Sequence, residues 1–249
     1  MPETAGQSRE THEARSNVRD LIVDHLGIDF KNPPKEIPLT FVNRIRHFKL
    51  VQRFKDDSVG EYFPEKNTVL YKKTSEPQAE LRRRLHESMH ALFHEVNPDY
   101  FQTIKDLWDF AANPSIRVEL ARAFARGEIG DKQYLRTMYF IGRANDVGKV
   151  YRAIYEGVAQ WGALEVQMND RGVTTEKHLG VINGMYPLLD KEAQESYLSG
   201  HKFVTAVIDY LARTGMTKGE ALLRLMTHPP LFPEDLAIGG AKYAEENLI

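Results

Sequence analysis

The sequence predicts an α+β protein that is predominantly helical. Three observations point there. Two short runs rich in aromatic and β-branched residues in the N-terminal third, Glu61-Tyr62-Phe63 and Thr68-Val69-Leu70-Tyr71, flank a four-residue turn segment and read as strands. From Glu76 onward apolar residues recur at three and four positions, the period of amphipathic helices. The breaks between those helical stretches fall at Pro98, Pro114, Gly130, Pro187, Gly215 and Pro229-Pro230, residues that punctuate helices.

Taken in order, residues 1–16 are polar, carry no apolar core segment, and are expected to be a disordered arm without a secretory signal. Asn17 to Leu26 places Val18, Leu21, Ile22, Val23 and Leu26 on a helical stripe that Gly27 ends. Pro33, Pro34 and Pro38 break the next segment, and Ile37 to Val42 is expected as a short strand. Asn43 to Phe54 fits helix and strand equally. The two strand-like runs form a predicted β-hairpin across a four-residue turn, Pro64-Glu65-Lys66-Asn67. Helices follow near 77–96, 99–112, 115–127, 131–144, 146–168, 175–184, 190–214, 217–227 and 233–246. Residues 17–249 are expected to form a single unit. Its first part, 17–96, contains the strands, and its second, 97–249, is helical.

The chain of 249 residues is long enough to bury a real core. Its formal charge of −2 gives no general attraction to nucleic acid or to anionic lipid, so neither a nucleic acid nor a membrane is expected as partner. No apolar run approaches the roughly 20 residues of a membrane span. Cysteine is absent, which removes disulfides, thiolate nucleophiles and thiolate metal ligands. Any bound metal must be held by histidine and carboxylate, and the cytoplasm is the default compartment.

The chemistry concentrates in His86-Glu87-Ser88-Met89-His90. Two histidines four apart project from one helix face, a turn from each other, so both imidazoles can reach one ion. Glu87 stands where a carboxylate can reach a metal-bound water without ligating the metal. This HExxH pattern is the usual motif of zinc-dependent hydrolases. A catalytic zinc site needs a third protein ligand. His94 lies one turn further on, but three ligands at i, i+4 and i+8 of a straight helix would spread over about 12 Å, too far for one ion. His94 is therefore expected to be a supporting or structural residue. Glu156, in Tyr155-Glu156-Gly157-Val158-Ala159-Gln160-Trp161, is the better candidate, because Gly157 and Ala159 permit close packing of its helix on a neighbour. Its alternative is a solvated carboxylate on an amphipathic helix.

With these segments in view, the chain resembles the gluzincin metallopeptidases, in particular the membrane-alanyl-aminopeptidase and leukotriene-hydrolase branch. That branch carries HExxH, then a Glu in EGxA ending in an aromatic, then a Tyr in YxxG. Here HESMH stands at 86–90, EGVAQW at 156–161 and YLSG at 197–200, in the same order. The resemblance implies a zincin-like fold in which a small N-terminal sheet and hairpin pack on the HExxH helix, followed by a helical subdomain. It implies a bound Zn2+ held by His86, His90 and Glu156, Glu87 as general base and acid, and Tyr197 as the hydroxyl that steadies the oxyanion. The expected function is zinc-dependent hydrolysis of a peptide or protein substrate. The alternative is a binding or regulatory protein that keeps the fold and the metal site. Two departures stand out: Glu156 follows His90 by 66 positions, a much longer gap than in that branch, and no GxMEN-like segment precedes the motif.

Other signals point to structure. GRANDVGK at 142–149 lacks the glycine spacing and the Ser or Thr of a phosphate loop. Arg82-Arg83-Arg84 is expected to be a solvated or salt-bridged face. Trp108 and Trp161 are expected in the core. Gln160 and His201 are candidates to support the metal ligands and the oxyanion, respectively.

Overall fold

The computed structural model describes residues 17–54, 59–171 and 191–249. The expected arm over 1–16 and the helix expected at 175–184 lie outside the described residues. Contacts group the chain into two compact units: Met1–Glu95 with Val158–Asp190, and Val96–Gly157 with Lys191–Ile249.

In the first unit, α1 (Val18–Leu26) starts where the Asn17 side chain accepts a hydrogen bond from the Arg19 amide and ends at Gly27 with φ 68°. Only a residue without a Cβ takes that left-handed conformation freely, so the glycine acts as the stop signal. A three-stranded sheet follows, β1 (Lys35–Pro38), β2 (Gly60–Phe63) and β3 (Thr68–Tyr71), in the order β1-β3-β2. β3 is central, antiparallel to β2 and parallel to β1, with Ile37 opposite Leu70 and Tyr62 opposite Val69. All four residues of β3 are buried, which is why it reads as an apolar run with little alternation. The hairpin turn closes through a 3-10 turn at Pro64–Lys66 and Asn67 at φ 42°. Asn is among the non-glycine residues that take that conformation most readily, and its side chain here donates to the Asn32 carbonyl at 2.8 Å, tying the turn to the segment before β1.

The strand expected over 37–42 stops earlier. Thr40 caps α2 (Phe41–Arg46), its hydroxyl accepting from the Asn43 amide, and α3 (Phe48–Val51) follows directly. The ambiguous stretch is thus helical. Leu39, Leu50 and Val51 pack on Ile37, Phe54, Phe63 and Leu70, so one face of this stretch covers the sheet.

The motif helix is α4 (Pro77–Val96), as the sequence predicts. Leu81, Leu85, Met89, Leu92 and Phe93 are buried on one stripe, with Leu85, Met89 and Phe93 at essentially zero exposure. Burying each such side chain contributes about 1.5–3 kcal/mol, which fixes the rotation of the helix about its axis and hence the direction of His86 and His90. Glu95, near its end, accepts hydrogen bonds from the Lys31 and Asn32 amides at 2.8 and 2.7 Å. Arg84 bonds Glu36 of β1 at 2.6 Å and lies over the Tyr71 ring, so this member of the arginine run ties helix to sheet.

In the second unit, α5 (Pro98–Ala112) and α6 (Pro114–Ala125) each begin with an asparagine cap followed by proline at the first helical position, Asn97-Pro98 and Asn113-Pro114. The two helices expected at 131–144 and 146–168 are one, α7 (Asp131–Arg171), 41 residues long, which contributes to both units. The sequence between them, Asn145-Asp146, contains nothing that breaks a helix, and Gly148 is matched to the Trp108 ring, which fills the space a side chain would need. Trp108 is 40% exposed, rim rather than core, whereas Trp161 is buried.

α8 (Lys191–Arg213) and α9 (Lys218–Thr227) follow, the latter with a complete capping box between Thr217 and Glu220. The last expected helix is two, α10 (Pro233–Ala237) and α11 (Gly240–Asn247), separated at Gly239, whose φ of 85° no helix continues through. Among the described residues no helix is long and apolar enough to cross a membrane. The protein is thus predominantly helical with one small sheet, as the sequence predicts.

Candidate metal centre

α4 presents His86 and His90 from consecutive turns, with their Nε2 atoms 3.1 Å apart and their rings nearly perpendicular, centroids 4.6 Å apart. Glu156 comes from α7. One ligand atom from each of the three residues lies within 4.8 Å of the others, the one such group of histidine and carboxylate residues found among the described residues. This set could hold a metal ion. Two ligands on a tetrahedral ion with bonds of about 2.05 Å sit about 3.3 Å apart, close to the observed separation of the two imidazole nitrogens.

The spacing of α4 and α7 beside the histidines is set by Gly162. A Cβ there would lie 2.6 Å from Met89 Cε and 2.8 Å from its Cγ and Sδ, so the Met89 side chain occupies the place of the missing one. Gln167, further along α7, donates to the Gln78 carbonyl at 3.1 Å and ties the same helix to the start of α4.

A second close approach lies one residue past Glu156. A Cβ on Gly157 would sit 2.5 Å from the Gly200 carbonyl carbon, and one on Gly200 would fall on the Ala153 carbonyl. α7 and α8 therefore cross backbone to backbone at the glycine of EGVA and the glycine of YLSG. Tyr197 is half-buried on α8, one turn before that crossing.

Glu87 is 9% exposed. Its side chain lies against the backbone of β2, since a Cβ on Gly60 would stand 3.0 Å from Glu87 Cγ and 3.2 Å from Oε1. Sequence reasoning missed Gly60. The signal was present: a glycine opening a strand otherwise rich in apolar residues marks a close approach of another group.

His94 is not part of the three-residue group. Its ring lies edge-on to Tyr62 at 6.2 Å, and burial lowers its pKa. Burial likewise lowers the pKa of His201, whose Nδ1 has no hydrogen-bond partner among the described residues. The same is true of the Gln160 Oε1, one turn beyond Glu156 on α7. Tyr151 and Tyr155, on the same helix as Glu156, stack with rings 5.2 Å apart and nearly parallel, and Phe101 meets both edge-on. Desolvation, with a smaller contribution from the Glu156 charge, raises the Tyr151 pKa, so Tyr151 stays a neutral phenol.

Set against protein-family models, curated proteins and solved structures, the chain matches none.

Proposed function

We propose that this chain is a zinc-dependent hydrolase whose substrate is a peptide bond. The observation that carries the reading is the convergence of His86, His90 and Glu156 on one point, with Glu87 buried beside the first histidine. Two imidazoles and one carboxylate, without thiolate, form the donor set of catalytic zinc sites that keep a fourth position for water. Calcium and magnesium, which favour all-oxygen shells, fit this set poorly. The order of HESMH, EGVAQW and YLSG, which resembles the gluzincin metallopeptidases, supports the same choice of metal and substrate. A chain without cysteine suits work in the cytoplasm.

When bound, zinc would lower the pKa of a water towards 7 and polarise a carbonyl oxygen. The protein's own groups divide the remaining work. His86 and His90 bind through Nε2, and Glu156 closes the set through a carboxylate oxygen. Glu87 takes a proton at its carboxylate as water attacks and returns it to the departing amine. Its low exposure and its packing on Gly60 hold it in one rotamer, which limits the reorganisation each turnover requires. Tyr197 donates its phenolic hydrogen to the oxygen on which negative charge develops, a contribution of roughly 3–4 kcal/mol for a preorganised donor. The glycine crossing next to both Glu156 and Tyr197 keeps their two helices at a fixed spacing.

A mixed peptide library, read by mass spectrometry, tests the reading. Wild-type protein should release fragments, lose that activity to a zinc chelator and regain it on adding zinc. Glu87→Gln should leave the library intact. Wild-type protein carrying zinc but leaving the library as untouched as Glu87→Gln does would favour a binding or regulatory role for the metal site instead.

A further inference from the structure

We propose that the outer face of α2 and α3, where Val42, Ile45 and Phe48 stand among Arg44, Arg46 and Lys49, is a docking surface for an anionic lipid bilayer. The two helices are apolar on two sides. The inner side, Leu50, Val51 and the adjoining Phe54, is used up against the sheet core of Ile37, Phe63 and Leu70. The outer side is not: Val42 is 58%, Ile45 65% and Phe48 59% exposed. One exposed hydrophobic residue is ordinary for any surface. Val42 and Ile45, three apart, share a face of α2, and Phe48 opens α3 directly after it, so the three exposed apolar residues cluster within seven positions of one short stretch.

The charges around these residues are all of one sign. From Leu39 to Phe54 the ionisable residues are Arg44, Arg46, His47, Lys49 and Arg53, with no Asp or Glu, in a chain whose formal charge is −2. Arg53 is engaged, bonding Glu65 and lying over the Phe63 ring. Arg44, Arg46 and Lys49 form no ion pair among the described residues and are exposed. Net charge alone predicts no attraction to anionic lipid, but the range of that attraction is about 8–10 Å, so the local cluster decides rather than the total.

The pairing of apolar tips with cations selects the partner. A nucleic-acid backbone would use the cations and leave Val42, Ile45 and Phe48 in water. At a lipid interface the apolar side chains enter the acyl boundary while the flexible stems of arginine and lysine reach back to the headgroups. The helices lie on the surface and do not cross it. Each cation near an anionic leaflet is worth roughly fivefold in partition, so removing three should lower binding by roughly a hundredfold.

Co-sedimentation of the full chain with vesicles tests this. Wild type should pellet with phosphatidylcholine vesicles containing about a third phosphatidylserine, bind weakly to pure phosphatidylcholine, and be released as salt rises. Arg44→Glu/Arg46→Glu/Lys49→Glu should lose phosphatidylserine binding. Ile45→Ser/Phe48→Ser should lose at least tenfold, with both variants melting like wild type because the altered side chains are exposed. Glu87→Gln should bind vesicles as wild type does, so the result does not depend on the hydrolase reading. Wild type that stays in the supernatant with phosphatidylserine vesicles would overturn the proposal. So would charge-reversed protein that pellets as well as wild type. A wild-type dimer that Phe48→Ser dissociates, without vesicle binding, would assign the surface to a second copy of the chain and overturn it equally.

Discussion

Replacing Gly200 by alanine should be among the most damaging single-methyl additions in this protein. The added Cβ would fall on the Ala153 carbonyl oxygen and lie 2.6 Å from its carbon, where 3.4–4 Å is ordinary contact. Both obstacles are backbone atoms inside α7, so no side chain can swing aside. The helices would have to part by about 1 Å, and a gap of that size forfeits up to half of the dispersion attraction across the crossing. Alanine recovers about 1 kcal/mol of helix propensity. Overpacking costs about 1–3 kcal/mol and occasionally more, and a rigid backbone collision belongs at the upper end. The balance is a loss of about 2 kcal/mol, or roughly 4–8 °C in Tm for a chain of this size. Gly142→Ala provides the contrast. It also lies within a helix, but a Cβ there meets nothing within 4 Å, so it should be neutral or stabilising by up to about 1 kcal/mol. Thermal melts of the two variants read the difference directly. Equal melting temperatures for Gly200→Ala and Gly142→Ala would refute the backbone crossing.

Four further outcomes are expected. Glu87→Gln should lower turnover by roughly 10²–10⁴-fold while zinc content, measured by elemental analysis, stays at the wild-type level. If Tyr197 plays the proposed role, Tyr197→Phe should lower kcat by roughly 10²–10³-fold with little change in KM, since the proposed hydrogen bond would form only in the transition state. Arg84→Met should destabilise by about 1–3 kcal/mol at neutral pH, because it leaves the Glu36 carboxylate without its bonded partner. Burial already raises the Glu36 pKa against the pull of Arg84; without the guanidinium it rises further, and the penalty should shrink in acid as Glu36 takes a proton, which denaturant melts against pH will show. Glu234, bonded by Arg143 at 2.6 and 2.8 Å, is held down to about 2. Its contribution is full above the ordinary carboxylate value and is lost as pH falls through that value towards about 2, so its carboxyl NMR signal should titrate well below those of exposed glutamates.

How far the sequence reveals the fold depends on whether a signal is local. The motif helix was legible at both ends, because Pro77 and the apolar stripe from Leu81 to Phe93 are written in one stretch. The hairpin was legible for the same reason, with Pro64 and Asn67 marking its turn. The unity of α7 was not, because a polar Asn145-Asp146 pair imitates a boundary, and only packing along both flanks shows that the helix continues. The split at Gly239 was missed in the opposite sense, since its φ of 85° is a tertiary requirement and glycine alone does not announce it. In the site, His86 and His90 were legible from spacing on one helix. Their meeting with Glu156, 66 positions later, depends on how two helices pack, and the nearest sequence hints were Gly157 and Ala159. The approach of Gly60 to Glu87 and of Gly157 to Gly200 had no partner visible in the sequence, because each needs a second segment to give it meaning.

The central claim is that two imidazoles and a remote carboxylate hold one zinc ion. Zinc titration of metal-free protein, followed by calorimetry, addresses it for wild type, His86→Ala, Glu156→Ala and the remote His228→Ala. Wild type and His228→Ala should each take up one zinc per chain, and Glu156→Ala should lose tight binding as His86→Ala does. Wild-type affinity in Glu156→Ala, or no zinc uptake by the wild type, would contradict that claim.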